Sequence, residues 1–482
     1  MVNEPSGSWG MASKSKPLMF CTAQSGAMIL AAIDEHWVER STSAKVASAA
    51  LRTPAVIVGA DAHGLGMARS LGRAGVPVIL ADSDAHRPGL HTRFARPYLL
   101  PGISGAALIE GLLALRTNLS VRPILFLTTD LQVGTVSEYQ ERLGNAFHIR
   151  LPHHKCVREL LDKRHFQQLA ERHGFPVPRA ITVCGEQDFV NFAQIQFPAI
   201  IKPANKEYIR APRALTVSSR EQAESVCHAI LAEAPELILQ EWVEGRESDI
   251  YFCLQYRGES GVTVSSFTGR KLRSWPPQTG STASCIAAPE MEDTLGRLTQ
   301  DFFDRTGFVG LCSMEFKQDQ RNRKFLMIEP TVGRTDWQEE VASINGVNIP
   351  LAAYRYELGL PPSVAQRPGA PQIWMYPPTY WRSRLVTKSF RDPRPRGARV
   401  KSACWSHDDP VPLAFFWREW LRDVFSRARW REFIFARAEP TVSRQYPNPG
   451  ERDTRDAADL TAIKSPYVSP ERNVQVVSGK EL

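Results

Sequence analysis

Two short segments of this chain hold acidic side chains at a spacing that chemistry can use. Val309-Gly-Leu-Cys-Ser-Met-Glu-Phe-Lys317 and Lys324-Phe-Leu-Met-Ile-Glu329 both alternate with the two-residue period of a β-strand, and the polar residues 318–323 between them read as a hairpin turn. A register centred on Asn322 sets Glu315 opposite Glu329 on one face, with Cβ atoms about 5 Å apart. Two carboxylates so placed repel unless a cation lies between them. An oxygen-only pair suits Mg²⁺, which is held by one or two carboxylates and completes its shell with nucleotide phosphates. An exposed strand pair with unrelated acids fits these two segments equally well.

More candidates stand upstream in a definite order. Leu160-Leu-Asp-Lys163-Arg-His-Phe166 opens a short helix that ends before Gly174-Phe-Pro-Val-Pro178. Phe197-Pro-Ala-Ile-Ile-Lys202-Pro203 is an apolar strand closing on a lysine, and Leu237-Ile-Leu-Gln240-Glu241-Trp242-Val243-Glu-Gly245-Arg-Glu247 is a strand running into a turn. Taken alone, Lys163 also reads as a solvated helix charge, Gln240 as a strand end and Glu247 as a turn acid. In this order, and followed by the glutamate pair, the series resembles the ATP-grasp superfamily and, within it, the carboxylate–amine ligase-like group. The resemblance runs from about Val56 to Leu360 and is closest from Arg158 to Pro350.

The resemblance implies roles residue by residue. Lys163 and Lys202 would meet the α- and β-phosphates as point charges. Gln240 would contact the adenine amino group, with the backbone of Glu241 and Val243 beside Trp242 along the adenine edge, and Glu247 would accept from the ribose hydroxyls. Glu315 and Glu329 would hold one or two Mg²⁺ ions, or Mn²⁺. Two departures stand out. The glycine-rich phosphate loop is replaced by Pro203-Ala-Asn-Lys206-Glu-Tyr-Ile-Arg210-Ala-Pro-Arg213, which has no glycine and would act as a basic lid. The family's Glu-x-Asn motif is Glu329-Pro-Thr331 here, and a threonine hydroxyl is a poorer metal ligand than an amide oxygen.

In Phe267-Thr-Gly269-Arg270-Lys271-Leu-Arg273-Ser-Trp-Pro276-Pro277-Gln-Thr-Gly280-Ser281, three cations fall within four residues and the prolines and glycine predict a loop. A solvated charge cluster is the ordinary meaning of such a run. The resemblance implies instead that Lys271 and Arg273, with Arg334, face the γ-phosphate and a substrate carboxylate.

The resemblance implies that the elements holding these residues are α/β in class, with α+β character in the ATP-binding part: an ATP-grasp fold with an N-terminal Rossmann-like α/β domain and a C-terminal appendage. Residues 1–52 read as a loosely ordered extension, 53–150 as the N-terminal α/β domain, 151–360 as the ATP-grasp domain, 361–438 as an aromatic and basic appendage entered through a proline-rich linker, and 439–482 as a disordered tail. Ala55-Val-Ile-Val-Gly59, a helix through Leu71 and Val76-Pro-Val-Ile-Leu-Ala-Asp82 form a βαβ opening, followed by a strand at Pro123-Ile-Leu-Phe-Leu-Thr-Thr-Asp130. Gly59, Gly64, Gly66 and Asp82 superficially match a dinucleotide fingerprint, but the spacing is not Gly-x-Gly-x-x-Gly. Asp61 and His63 are candidate substrate contacts, or a polar turn without a ligand. The stretch 414–430 has apolar residues at helical spacing with arginines beside them. It predicts a helix docked on its own protein in preference to one on an anionic membrane.

Composition is ordinary for a soluble globular protein: hydrophobic residues make up 43% and charged residues 23%, with a net charge of +8. Eight scattered cysteines without a Cys-x-x-Cys pair point to reduced thiols in the cytoplasm and away from zinc or disulfides. The modest basic excess suits phosphate-bearing ligands or an anionic surface and does not by itself suggest nucleic acid. The expected partners are ATP, a small carboxylate and a small amine, with peripheral contact at the inner membrane face or with a protein through 414–438 left open. The expected activity is an ATP-dependent ligase that joins carboxylate to amine through an acyl phosphate. The alternatives are a purine-synthesis-like enzyme using bicarbonate or formate, and a nucleotide-binding scaffold with weakened catalysis.

Overall fold

The computed structural model describes residues 52–205, 214–363, 368–389 and 394–425. The expected extension before residue 52, the lid at Lys206–Arg213, the stretch 426–438 and the tail 439–482 lie outside the described residues.

The first layer is a four-stranded sheet of order β3-β2-β1-β4. It is built from β1 (Ala55–Val58), β2 (Val78–Asp82), β3 (Arg96–Leu99) and β4 (Ile124–Leu127), with helices α1 (Ala62–Arg73) and α2 (Gly105–Thr117) between them. All its pairings are parallel, and β1, β2 and β4 are buried on both faces, which is why their sequences are nearly continuous apolar runs. The glycines of the β1–α1 turn serve packing: a Cβ on Gly64 would fall 1.8 Å from the Gly59 carbonyl oxygen. Asp82 accepts from the Ala60 N–H at 2.8 Å, so the acid of the apparent fingerprint fastens this turn. Asp61 caps α1, accepting from the N–H groups of His63 and Gly64.

After α3 (Asp130–Glu138), α4 (Gln140–Gly144), α5 (His154–Leu161) and α6 (Lys163–Arg172), an antiparallel sheet of order β5-β8-β6-β7 forms a second layer. Its strands are β5 (Ala180–Val183), β6 (Ala199–Pro203), β7 (Leu215–Val217) and β8 (Leu237–Glu241), with α7 (Arg220–Ile230) against them.

A seven-stranded sheet of order β13-β12-β9-β10-β11-β14-β15 follows. It comprises β9 (Ile250–Arg257), β10 (Thr263–Trp275), β11 (Ser281–Ala287), β12 (Gly310–Gln318), β13 (Phe325–Val332), β14 (Gln372–Met375) and β15 (Arg399–Ser402). One face carries Cys253, Cys312, Met314, Phe316 and Met327 against Phe302 and Phe303 of α8 (Glu292–Thr306). The other face carries Phe252, Leu254 and Leu311 in one continuous core with α1, Val341 and Ala342 of α9 (Glu340–Ile344), and Tyr354 of α10 (Ile349–Glu357).

Two expectations are corrected here. Residues 267–275 are strand, not loop; only 276–280 form the turn between β10 and β11. The chain beyond residue 360 is not set apart from the ATP-grasp part. β14 pairs with β11 and β15 with β14, so this region extends the central sheet, and α11 (Pro377–Thr387) packs on β10 and β11. α12 (Val411–Phe425) docks its inner side as expected: Phe416 is buried and Phe415 stacks on His91 at 3.3 Å. Ahead of it, Asp409 is buried with Arg69 of α1 at 2.9 Å and also accepts from Thr92 Oγ1 and the Arg93 N–H.

Candidate active site

β12 and β13 pair so that Glu315 stands opposite Glu329 and Ser313 opposite Thr331. The register is as expected on this side. A β-bulge after Glu315 sets Phe316 opposite Met327, so the turn end is displaced by one residue and is not centred on Asn322. The bulge leaves the glutamates as a direct pair.

β9 lies between β12 and β10, with Glu315 and Gly269 both opposite Phe252 and therefore on one face. Lys271, two residues beyond Gly269 on that face, reaches across β9 to Glu315 at 2.6 Å. A bulge after Lys271 changes the register, and Arg273 is engaged elsewhere. Its guanidinium donates to Thr387 Oγ1 and the Ser389 carbonyl at the end of α11 and lies over the Tyr380 ring. The structure does not bring Arg273 to the glutamates in the way it brings Lys271.

Lys202 enters from the other sheet. On the antiparallel β6–β8 pair it is diagonal to Gln240, and its Nζ donates to Gln240 Oε1 at 3.1 Å. Gln240 Nε2 in turn donates to Gln167 Oε1 of α6. Burial draws the Lys202 ammonium below its usual pKa; Glu329 and then Glu315 oppose this, and Lys271 adds to it. The lysine therefore lies within the field of both glutamates. Lys163 is the first residue of α6, capped by Asp162, and its N–H donates to the Ala204 carbonyl just past β6. Both lysines thus approach one strand end.

Past β8, the N–H groups of Glu241 and Trp242 are taken by the Arg179 and Pro198 carbonyls, while no backbone partner for the Val243 N–H occurs among the described residues. Lys317, two residues beyond Glu315, lies over the Trp242 ring at 4.5 Å. Glu247 Oε1 accepts from the N–H groups of Ser274 and Gln278, so it holds the β10–β11 turn.

Gly333 sends the chain away from β13. Its φ of +72° suits glycine, and a Cβ there would lie 2.5 Å from Val133 of α3. Arg334 consequently meets Asp130, the first residue of α3, at 2.6 Å. Burial works against this guanidinium, but Asp130, then Asp336 and Glu329, keep its pKa above the ordinary value. His63 lies between Thr128 and Thr335; burial, followed by Arg334, lowers its pKa to about 3, so its ring is neutral. Asp336 accepts from Ser313 at 2.7 Å and Thr331 at 2.9 Å, and the proton of Thr331 is therefore turned away from the glutamates.

The donors on this face are all oxygens, which fits Mg²⁺ or Mn²⁺. No group of three or more His, Cys, Asp or Glu that could enclose a metal occurs among the described residues. The glutamates supply part of a shell that phosphate oxygens and water would complete. Asp130, Gln167, Lys317 and Asp336 were not singled out from sequence, because each meets the site through contacts that no local spacing encodes.

No protein-family model matches the sequence, and no curated protein does. Solved structures do. An N5-carboxyaminoimidazole synthetase from Staphylococcus aureus, complexed with ADP, superposes with a TM-score of 0.54 at 13% identity over 67% of this chain and 81% of that one. The N5-carboxyaminoimidazole ribonucleotide synthetase from Thermus thermophilus gives 0.50 at 17% identity over 66% and 81%. A biotin carboxylase–ATP analogue complex from Campylobacter jejuni gives 0.50 at 14% identity over 66% and 73%. Together with the leading parallel sheet, the four-stranded antiparallel sheet and the mixed seven-stranded sheet, these likenesses identify the fold of this chain as the ATP-grasp fold.

Proposed function

We propose that the chain is an ATP-dependent ligase that joins a small carboxylate to an amine and releases ADP and phosphate. The observation that carries this reading is the meeting of Lys202 and Lys271 with the facing Glu315 and Glu329, beside an Arg334 already oriented by Asp130. That the S. aureus neighbour of this fold was solved complexed with ADP supports nucleotide binding. Nucleotide binding alone would not require Lys271 and Arg334.

In this reading Lys163 and Lys202 neutralise the α- and β-phosphates, the Val243 N–H donates to the adenine edge, and Trp242 with Lys317 forms one wall. Mg²⁺ or Mn²⁺ held by Glu315 and Glu329 would neutralise phosphate charge when bound, and Thr331, whose hydroxyl is fixed by Asp336, occupies the position of the missing asparagine. Arg334 holds the substrate carboxylate through its planar fork. One carboxylate oxygen attacks the γ-phosphorus and the bond to ADP breaks, giving an acyl phosphate; the amine then attacks the acyl carbon, phosphate leaves and the amine loses a proton. Lys271 steadies the developing charge, and Arg273 braces β10 against α11. Because the chemistry is mainly charge neutralisation and positioning, no protein nucleophile is needed.

The test is an ADP-release screen over paired carboxylates and amines, followed by turnover of the active carboxylate carrying heavy oxygen. Transfer of one labelled oxygen into the released phosphate is expected. ADP release with unlabelled phosphate would exclude the acyl phosphate.

A further inference from the structure

The chain's basic excess has an address. Residues 377–438 hold fourteen Lys and Arg against six Asp and Glu, which equals the net +8 of the whole protein, and the remaining residues carry 45 of each sign. The exposed apolar side chains share that address. Of twelve large apolar side chains left exposed among the described residues, seven lie between Trp381 and Leu421.

α11 faces outward with Trp381, 53% exposed, and Leu385, 60% exposed, at an i, i+4 spacing; Arg384 lies over the Trp381 ring and exposed Lys388 follows. α12 faces outward with Trp417, 54% exposed, and Leu421, with exposed Arg418 and Arg422 beside them. Tyr376, which caps α11, lies edge-on against Phe416 of α12 and links the start of one helix to the inner side of the other. The edge strand β15 exposes Arg399 and Lys401. The sequence beyond α12, Arg427-Ala-Arg-Trp-Arg-Glu-Phe-Ile-Phe-Ala-Arg437, continues the same composition.

We propose that the outward faces of α11 and α12 form a surface that binds an anionic lipid bilayer. Tryptophan prefers the headgroup region, leucine and valine enter the acyl boundary, and Lys and Arg are attracted to an anionic surface. Nucleic acid would satisfy the arginines but offer no apolar phase for Leu385, Val386 and Leu421. The inner sides of both helices remain docked on the protein, so binding leaves the fold intact.

Flotation of the full chain with phosphatidylcholine vesicles, with and without about one-third phosphatidylglycerol, tests this. At least about tenfold more protein is expected on the anionic vesicles, with release at high salt. The double variants Trp381→Glu with Leu385→Glu, and Trp417→Glu with Leu421→Glu, should each lower binding at least about fivefold while near-UV circular dichroism and Tm are retained. Using both pairs guards against one of them failing to fold. Absence of binding to anionic vesicles, or undiminished binding by both folded variants, would overturn the proposal. Capture of an acidic protein in place of vesicles would likewise overturn it.

Discussion

Arg334 is the residue whose surroundings say most about its task. Asp130 orients a guanidinium that burial would otherwise disfavour, with the Asp336 charge adding support, at the junction of the parallel sheet and the strands that bear Glu315 and Glu329. Arg334→Lys keeps the charge and loses the fork, so nucleotide affinity should survive while ADP release with the true substrates falls at least about tenfold, or about 1.4 kcal/mol in barrier. Steady-state kinetics beside a nucleotide titration distinguishes this from loss of ATP binding. Glu339 offers a second test. It is fully buried, one carboxyl oxygen lacks a hydrogen-bond partner, and burial raises its pKa to about 8, with Ser343 opposing and Glu340 adding to the shift. Its folded pKa is above the unfolded value, so its stabilising contribution is full below the usual glutamate range and is lost as pH rises through 8. Glu339→Gln should therefore lose less Tm than the parent between about pH 5 and about pH 9, by at least about 2 °C in thermal melts. The glutamate pair, Lys202 and Gln240 were legible because strand alternation assigns each to a face. Asp130 and Asp336 were not, because their partners are set by how Gly333 turns the chain.

At the scale of elements, the hairpin, the βαβ opening and the helix at Lys163 all followed from period and punctuation. Two misreadings share one physical cause. Arg270-Lys-Leu-Arg273 looks like a solvated loop, yet Lys271 and Arg273 are buried on β10, one against Glu315 and the other under α11. β14 and β15 are four residues each and flanked by proline-rich chain, so their pairing in the central sheet is visible only once β11 is in place. What secures this region is the buried Arg69–Asp409 pair, reinforced by Thr92 and the Ala403 carbonyl. Asp409→Asn leaves a buried guanidinium without its counter-charge and should cost about 3 kcal/mol in chemical denaturation. Arg69→Met combined with Asp409→Asn should recover part of that loss. A cost under about 0.5 kcal/mol for the single variant would show that the C-terminal region is secured by apolar contacts alone.

At the scale of the molecule, the four-stranded antiparallel sheet brings Lys202 and Gln240 into the field of Glu315, Glu329 and Lys271 on the seven-stranded sheet, while helices that follow strands of the parallel sheet present Asp130 and His63 to Arg334 and Thr335. The order of motifs along the chain singled out Lys202, Gln240, Lys271 and the glutamate pair, while Arg273 and Glu247 from the same series are engaged with α11 and the β10–β11 turn. The identity of the substrates was not encoded in that order, because it depends on side chains that three separate layers contribute. The central claim is that a nucleotide binds between the four-stranded antiparallel sheet and the seven-stranded sheet with its phosphates on Lys202. Calorimetric titration with a non-hydrolysable ATP analogue, with and without Mg²⁺, tests it on the parent chain, Lys202→Ala and Glu329→Gln. Mg²⁺-assisted binding by the parent is expected, with Lys202→Ala weaker by at least about tenfold and Glu329→Gln losing most of the Mg²⁺ effect. Absence of binding by the parent, or equal affinity in Lys202→Ala, would contradict the account.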